Sequence, residues 1–191
     1  MKPGARHGRI SASHVPDVLA EGLAVVFCGT ALGRVSAEKR AYYANPGNFF
    51  WRTLHHTGMT PRLLAPTEYA QALRYGIGLT DLCKTAFGQD AELPADAFDV
   101  AGLRQKILHY RPAFLAFTSK AGATEVLGAA HTGAVAYGEQ AERIGNTRIF
   151  VLPSPSGQAR KYWQTGPWQA LADSVAQLKV FGDAGEAAER I

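Results

Sequence analysis

The chain has 191 residues, 47% of them hydrophobic, and carries a net charge of +4. That is enough apolar material for one sizeable core, but no apolar run is long enough to cross a bilayer, and the polar, basic start over 1–14 lacks the apolar stretch of a signal peptide. Cys28 and Cys83 are the only cysteines, which excludes a disulfide framework and any metal or iron–sulfur site that needs four cysteine ligands from this chain. A cytoplasmic location is expected, and the mild basic excess is compatible with a polyanionic partner.

In chain order, residues 1–14 read as a flexible arm whose Lys2, Arg6 and Arg9 are free to meet phosphates. Residues 23–27 form a continuous apolar run, the pattern of a strand buried on both faces. The loop Phe27-Cys28-Gly29-Thr30-Ala31-Leu32-Gly33 follows it. Next comes Tyr42-Tyr43-Ala44-Asn45-Pro46-Gly47-Asn48-Phe49-Phe50-Trp51, with flat aromatic faces and two amides. A helix is expected over 48–57, with Asn48 as its cap. A short helix starts at Pro66 and ends near Gly76, and 77–82 is an extended piece or a functional loop. Residues 97–110 are amphipathic, 112–117 are a second buried strand, and a helix over 119–127 starts at Ser119. A third strand over 148–152 runs into Leu152-Pro153-Ser154-Pro155-Ser156-Gly157, and a closing helix covers 167–180.

Strands that alternate with helices predict an α/β class, a three-layer α/β/α sandwich on a mostly parallel sheet of about four strands. One domain is expected over 15–182, with 183–191 as a tail. In a parallel sheet the loops leaving the carboxyl ends of strands line one crevice. The Gly29–Gly33 loop and the Pro153–Gly157 loop therefore share a cleft with the aromatic segment. No His, Asp and Glu cluster has metal-ligand spacing: His55, His56 and His109 fall in helical patterns, and His131 stands alone in a Gly/Ala-rich loop.

These motifs together resemble the mismatch-specific uracil (thymine) DNA glycosylases of the uracil-DNA glycosylase superfamily. The shared pattern is a Val-Val-Phe-Cys-Gly strand end, a Gly-x-x-x-Gly loop, an aromatic-Ala-x-Pro-x-Asn-x-Phe-Trp stretch, and a strand ending in Pro155-Ser156-Gly157. The resemblance implies removal of uracil, or another deaminated or mismatched base, from DNA without a cofactor or metal. It also implies a monomer acting on double- and single-stranded DNA, associated with the nucleoid during repair. A base inside a duplex must be flipped out to be reached, and the departing base must be stabilised as an anion.

The resemblance also distributes roles. Tyr43 stacks on the flipped base, and the backbone N–H groups of Thr30 and Ala31 read its carbonyls; beside these, the amides of Asn45 and Asn48 are able to donate to the base. Helix capping is the competing role for Asn48. Gly157-Gln158-Ala159 matches the wedge that enters the duplex, and Ser154, Ser156 and the following Arg160 and Lys161 suit phosphate contact against an ordinary solvated turn. The family places a water-positioning Asn where this chain has Ala31, a Pro at Leu32 and an Asn at Ser154. Asp81 is the leading substitute for the missing Asn, with Asn45 and Glu38 behind it, and a cap or a salt bridge to Lys84 as the bland alternative. Two further readings stay open: a lesion-binding protein without chemistry, and a nucleotide-binding α/β enzyme whose first loop cradles phosphate.

Overall fold

The computed structural model describes residues 15–89, 92–94 and 96–188, with side chains through 178. The basic arm and the last three residues of the expected tail lie outside the described residues.

Four parallel strands form the centre: β1 (Val25–Gly29), β2 (Ile77–Asp81), β3 (Phe114–Phe117) and β5 (Thr147–Val151). A fifth, β4 (Gly138–Ile144), pairs antiparallel with β5, so the order is β2-β1-β3-β5-β4. The three strands read from apolar runs are all present, and 77–82 resolves as a strand. The fifth strand was not expected. Its Glu-Gln-Ala-Glu-Arg interior is largely exposed at the sheet edge, so no apolar pattern marks it. Gly145 at φ +60 and Asn146 turn it directly into β5.

The period-2 alternation of the strands explains the layers. Val25 and Phe27 of β1, Phe114 and Ala116 of β3, and Phe150 of β5 face one side. There Phe27 lies 5.7 Å from Trp168 in a stacked pair and 5.1 Å edge-on from Phe50. The covering elements are α2 (Phe50–His56), a 3-10 helix (Pro66–Tyr75) and α5 (Gly166–Ala188). Val26, Cys28, Leu115, Phe117, Ile149 and Val151 face the other side, against α3 (Val100–Tyr110) and α4 (Lys120–Leu127). Burying each large apolar side chain contributes roughly 1.5–3 kcal/mol. The result is the expected α/β/α sandwich.

Local signals place the helices. Asp99 and Ser119 accept hydrogen bonds from the N–H groups of Gly102 and Gly122, and so start α3 and α4. The short α1 (Arg34–Lys39) escapes the sequence reading because only Ser36 and Ala37 on it are buried. Helix α5 runs to Ala188, past the expected end at 180.

Candidate active site

Strand order decides where a crevice forms. From β1 the chain passes to β2 on one side and then to β3 on the other, so the connections diverge at the carboxyl ends of β1 and β3. A cleft of about 590 Å3 opens there. Gly29, Thr30 and Ala31 from the end of β1, Asp81 from β2, Thr118 and Ser119 after β3, and Ser154 to Ser156 after β5 all line it.

Asp81 ends β2 and lies in register with Gly29 of β1. Its Oδ1 occupies the place a side chain at Gly29 would need, with the Tyr43 hydroxyl 3.6 Å from the same point. Only glycine lets the carboxylate sit there. The Asp81 side chain is 3% exposed, and its Oδ2 has no hydrogen-bond partner. Lys84 Nζ stands 3.6 Å from that oxygen. Lys84 is itself held by Asp17 at 2.6 Å and donates to the Tyr42 hydroxyl at 2.7 Å, while Lys106 lies 2.7 Å from the other Asp17 oxygen. Burial pushes the Asp81 carboxyl up to about 6, partly offset by Lys84 and reinforced by the Asp17 charge. At Asp17 burial acts in the same upward direction, but Lys84 and Lys106 outweigh it and its carboxyl is lowered. Burial and the Asp81 charge raise both Tyr42 and Tyr43, so their phenols stay protonated.

Tyr43 adopts φ +53, a left-handed conformation that costs a non-glycine residue roughly 1–3 kcal/mol. Packing holds it there. Its ring stacks on Phe50 at 3.7 Å and 14°, and its hydroxyl lies 3.3 Å from Thr118 Oγ1. Tyr43 lines the cleft with Phe50 behind it. Thr30 Oγ1 lies 2.8 Å from Ser119 Oγ, a hydroxyl pair that spans the gap between the ends of β1 and β3.

The amides do structural work as well. Asn45 Oδ1 accepts from the Gly47 N–H at 2.8 Å, and Asn48 Oδ1 accepts from the Phe50 N–H at 2.8 Å; the helix starts two residues later than expected, its N-cap is Phe49 and not Asn48, and Asn48 instead closes a turn just before it. Both residues still line the cleft. In the second loop Ser154 accepts from the Ser156 N–H and Ser156 from the Gln158 N–H, at 3.3 and 3.4 Å. Ser156 thereby opens a 3-10 helix (Gly157–Tyr162).

Thr30, Ala31, Tyr43, Asn45, Asn48, Asp81, Ser154, Ser156 and Gln158 all line the cleft, whereas Gly157 and Arg160 do not. A Cβ on Gly157 would come 3.1 Å from the Gly47 carbonyl oxygen, and the Phe49 N–H donates to Pro155 O at 2.8 Å. The two loops thus clasp each other closely at this glycine, where any side chain would press on the Gly47 carbonyl. Arg160 lies 5.4 Å from the Phe49 ring, which Arg52 approaches to 5.2 Å. Sequence reasoning missed Thr118, Ser119, Tyr162 and the Asp17–Lys84 pair. Thr118 and Ser119 directly follow a predicted buried strand, so the logic applied to the other two loops reaches them. Asp17 and Lys84 meet across 67 positions of chain and leave no local signal.

The family model described as the Uracil DNA glycosylase superfamily matches residues 16–173. The chain belongs to that superfamily. Among solved structures it is similar to the solution NMR structure of a protein from Methanosarcina acetivorans, described there as a candidate uracil DNA glycosylase. The two are 26% identical, the match covers 85% of this chain and 96% of that one, and the TM-score is 0.61. The loop after Gly29 and the Pro155-Ser156 turn face one crevice. Alanine at position 31 offers that crevice only a methyl group.

Proposed function

We propose that this chain is a monofunctional uracil-DNA glycosylase, a monomer with one domain over 15–182. Double- and single-stranded DNA are its substrates, and the intracellular nucleoid is its place of action. The observation that carries this reading is the buried Asp81 carboxylate at the cleft, its Oδ2 paired only with Lys84 at 3.6 Å and without a hydrogen bond, its Oδ1 packed against Gly29 beside the cleft-lining Tyr43. The flipped uracil stacks on Tyr43, whose ring is backed by Phe50. Backbone N–H groups of Thr30 and Ala31, with the Asn45 and Asn48 amides, donate to the carbonyl edge. As the bond from sugar C1′ to uracil N1 breaks, its electron pair leaves with the base, and those donors hold the anion. Water adds its oxygen to C1′ and gives up a proton to Asp81, whose negative charge also offsets the cationic sugar. Asp81 thus takes the part that an Asn plays at position 31 in the mismatch-specific branch. Ser154, Ser156 and Arg160 bind phosphates, and Gln158 enters the duplex.

The test is release of an abasic site from a uracil-containing oligonucleotide, revealed as strand cleavage by alkali. Cleavage that disappears in Asp81→Ala supports the reading. Ala31 favours a second reading, a lesion-binding protein without chemistry. Binding of uracil DNA with no cleavage by the parent protein selects it.

A further inference from the structure

The 3-10 helix after the second loop carries more than the wedge sequence. Gln158, Ala159 and Tyr162 on it line the cleft. Tyr162 is 57% exposed, one of the few large apolar side chains so open, and it stands at the site rather than on a remote face. Its neighbours are cations and rings. Lys161 Nζ lies 4.8 Å from the Tyr162 ring, and Lys120 Nζ lies 4.5 Å from the ring of Tyr137. Tyr162 stands close enough to Tyr137 to help burial raise that phenol. Arg52, Lys120, Arg160 and Lys161 form no ion pair among the described residues and each lies over an aromatic ring, unlike the equally unpaired Lys39, Arg40, Arg74, Arg104 and Arg143. Unpaired cations set beside an open aromatic ring are the ingredients of a nucleic-acid stacking platform. The ring takes a base of any identity, and the cations take the backbone.

We propose that Tyr162 is a stacking platform for a DNA base next to the flipped nucleotide, with Lys161 and Lys120 holding the flanking backbone. This rests on the reading above that DNA is the substrate, and it adds a contact outside the wedge sequence Gly157-Gln158-Ala159. Hydrophobic burial does not account for an exposed tyrosine here, and its hydroxyl makes no hydrogen bond among the described residues. A stack needs only the ring, so phenylalanine serves equally.

The experiment titrates a fluorescein-labelled duplex containing one tetrahydrofuran abasic-site analogue, and a single strand of the same length, followed by fluorescence anisotropy at several salt concentrations. Neither probe requires catalysis. Tyr162→Ala should weaken binding to both roughly ten- to a hundredfold. The salt dependence should keep its slope, and Tyr162→Phe should bind like the parent. Lys161→Met should flatten the slope instead. Parent-like binding by Tyr162→Ala, or a loss that Tyr162→Phe does not recover, overturns the inference. A parent that binds through Tyr162 yet releases no uracil leaves it standing and removes the catalytic reading. A parent that releases uracil while Tyr162→Ala binds normally does the reverse.

Discussion

Ionised Asp81 is a charge held out of water, and the fold is arranged so that it can be tolerated. In the unfolded chain its proton leaves near the ordinary 3.8, but in the folded protein it is retained up to about 6. Sign follows from this. Below about pH 4 the group is neutral in both states and has no effect. Between those values stability falls as pH rises, and above about 6 the full penalty, roughly 3 kcal/mol, is present. Asp81→Asn should therefore raise the melting temperature by several degrees at pH 7.5 and leave it nearly unchanged at pH 4, as calorimetry at the two pH values would show. Activity should show the converse. Single-turnover uracil release by the parent should fall about tenfold per unit below pH 6, while Asp81→Ala should be slower by roughly 10²–10⁴ and lack that limb.

Gly29 and Asp81 form a coupled pair. Gly29→Ala should destabilise the parent strongly but cost little in an Asp81→Ala background, so a double-mutant cycle in urea should return a coupling of roughly 0.5–3 kcal/mol. For Tyr43 the ring and not the hydroxyl carries stacking. Tyr43→Phe should keep most of the rate of uracil release and Tyr43→Ala should lose roughly ten- to a hundredfold.

At the scale of elements, apolar runs revealed β1, β3 and β5 because central parallel strands are buried on both faces. The same runs placed the loops that follow them at one cleft. The polar edge strand β4 and the short helix α1 stayed hidden, since neither buries enough side chain to leave a periodic mark. The role of Gly157 was also out of reach of sequence. Its partner is the backbone of Gly47, 110 positions earlier, and no local pattern records that contact. The clasp changes what a substitution there would report. Gly157→Ala forces a carbon to 3.1 Å from the Gly47 carbonyl oxygen, and Gly157→Val adds two more methyl groups. Overpacking of this kind costs typically 1–3 kcal/mol. Thermal melts without DNA should rank parent, Gly157→Ala and Gly157→Val in falling order. Equal melting temperatures would mean that the loops part freely.

For the whole molecule, charge is distributed along the axis of the sheet. At the carboxyl ends of the strands, Arg52, Arg160 and Lys161 gather at the aromatic rim of the cleft. At the amino ends, Arg111 borders a separate cavity with Gly22 to Ala24 and Pro112 to Ala113, and faces Glu21 at 3.8 Å. Two arginines of equal charge thus stand at opposite ends of the sheet, and they separate contact from long-range attraction. A cation that touches a phosphate releases counterions when DNA binds, so its loss lowers the slope of log affinity against log salt by about 0.9 on duplex. A cation that only adds to the overall field is screened beyond about 10 Å at 0.1 M salt and leaves the slope unchanged. Arg160→Ala should therefore flatten the salt dependence of binding to a uracil duplex by about one unit, with no change in preference for uracil over the other bases. Arg111→Ala, which removes the same charge from the far end, should leave both slope and affinity as in the parent. An equal effect of the two substitutions would mean that the protein's net charge, and not the rim of the cleft, governs its hold on DNA.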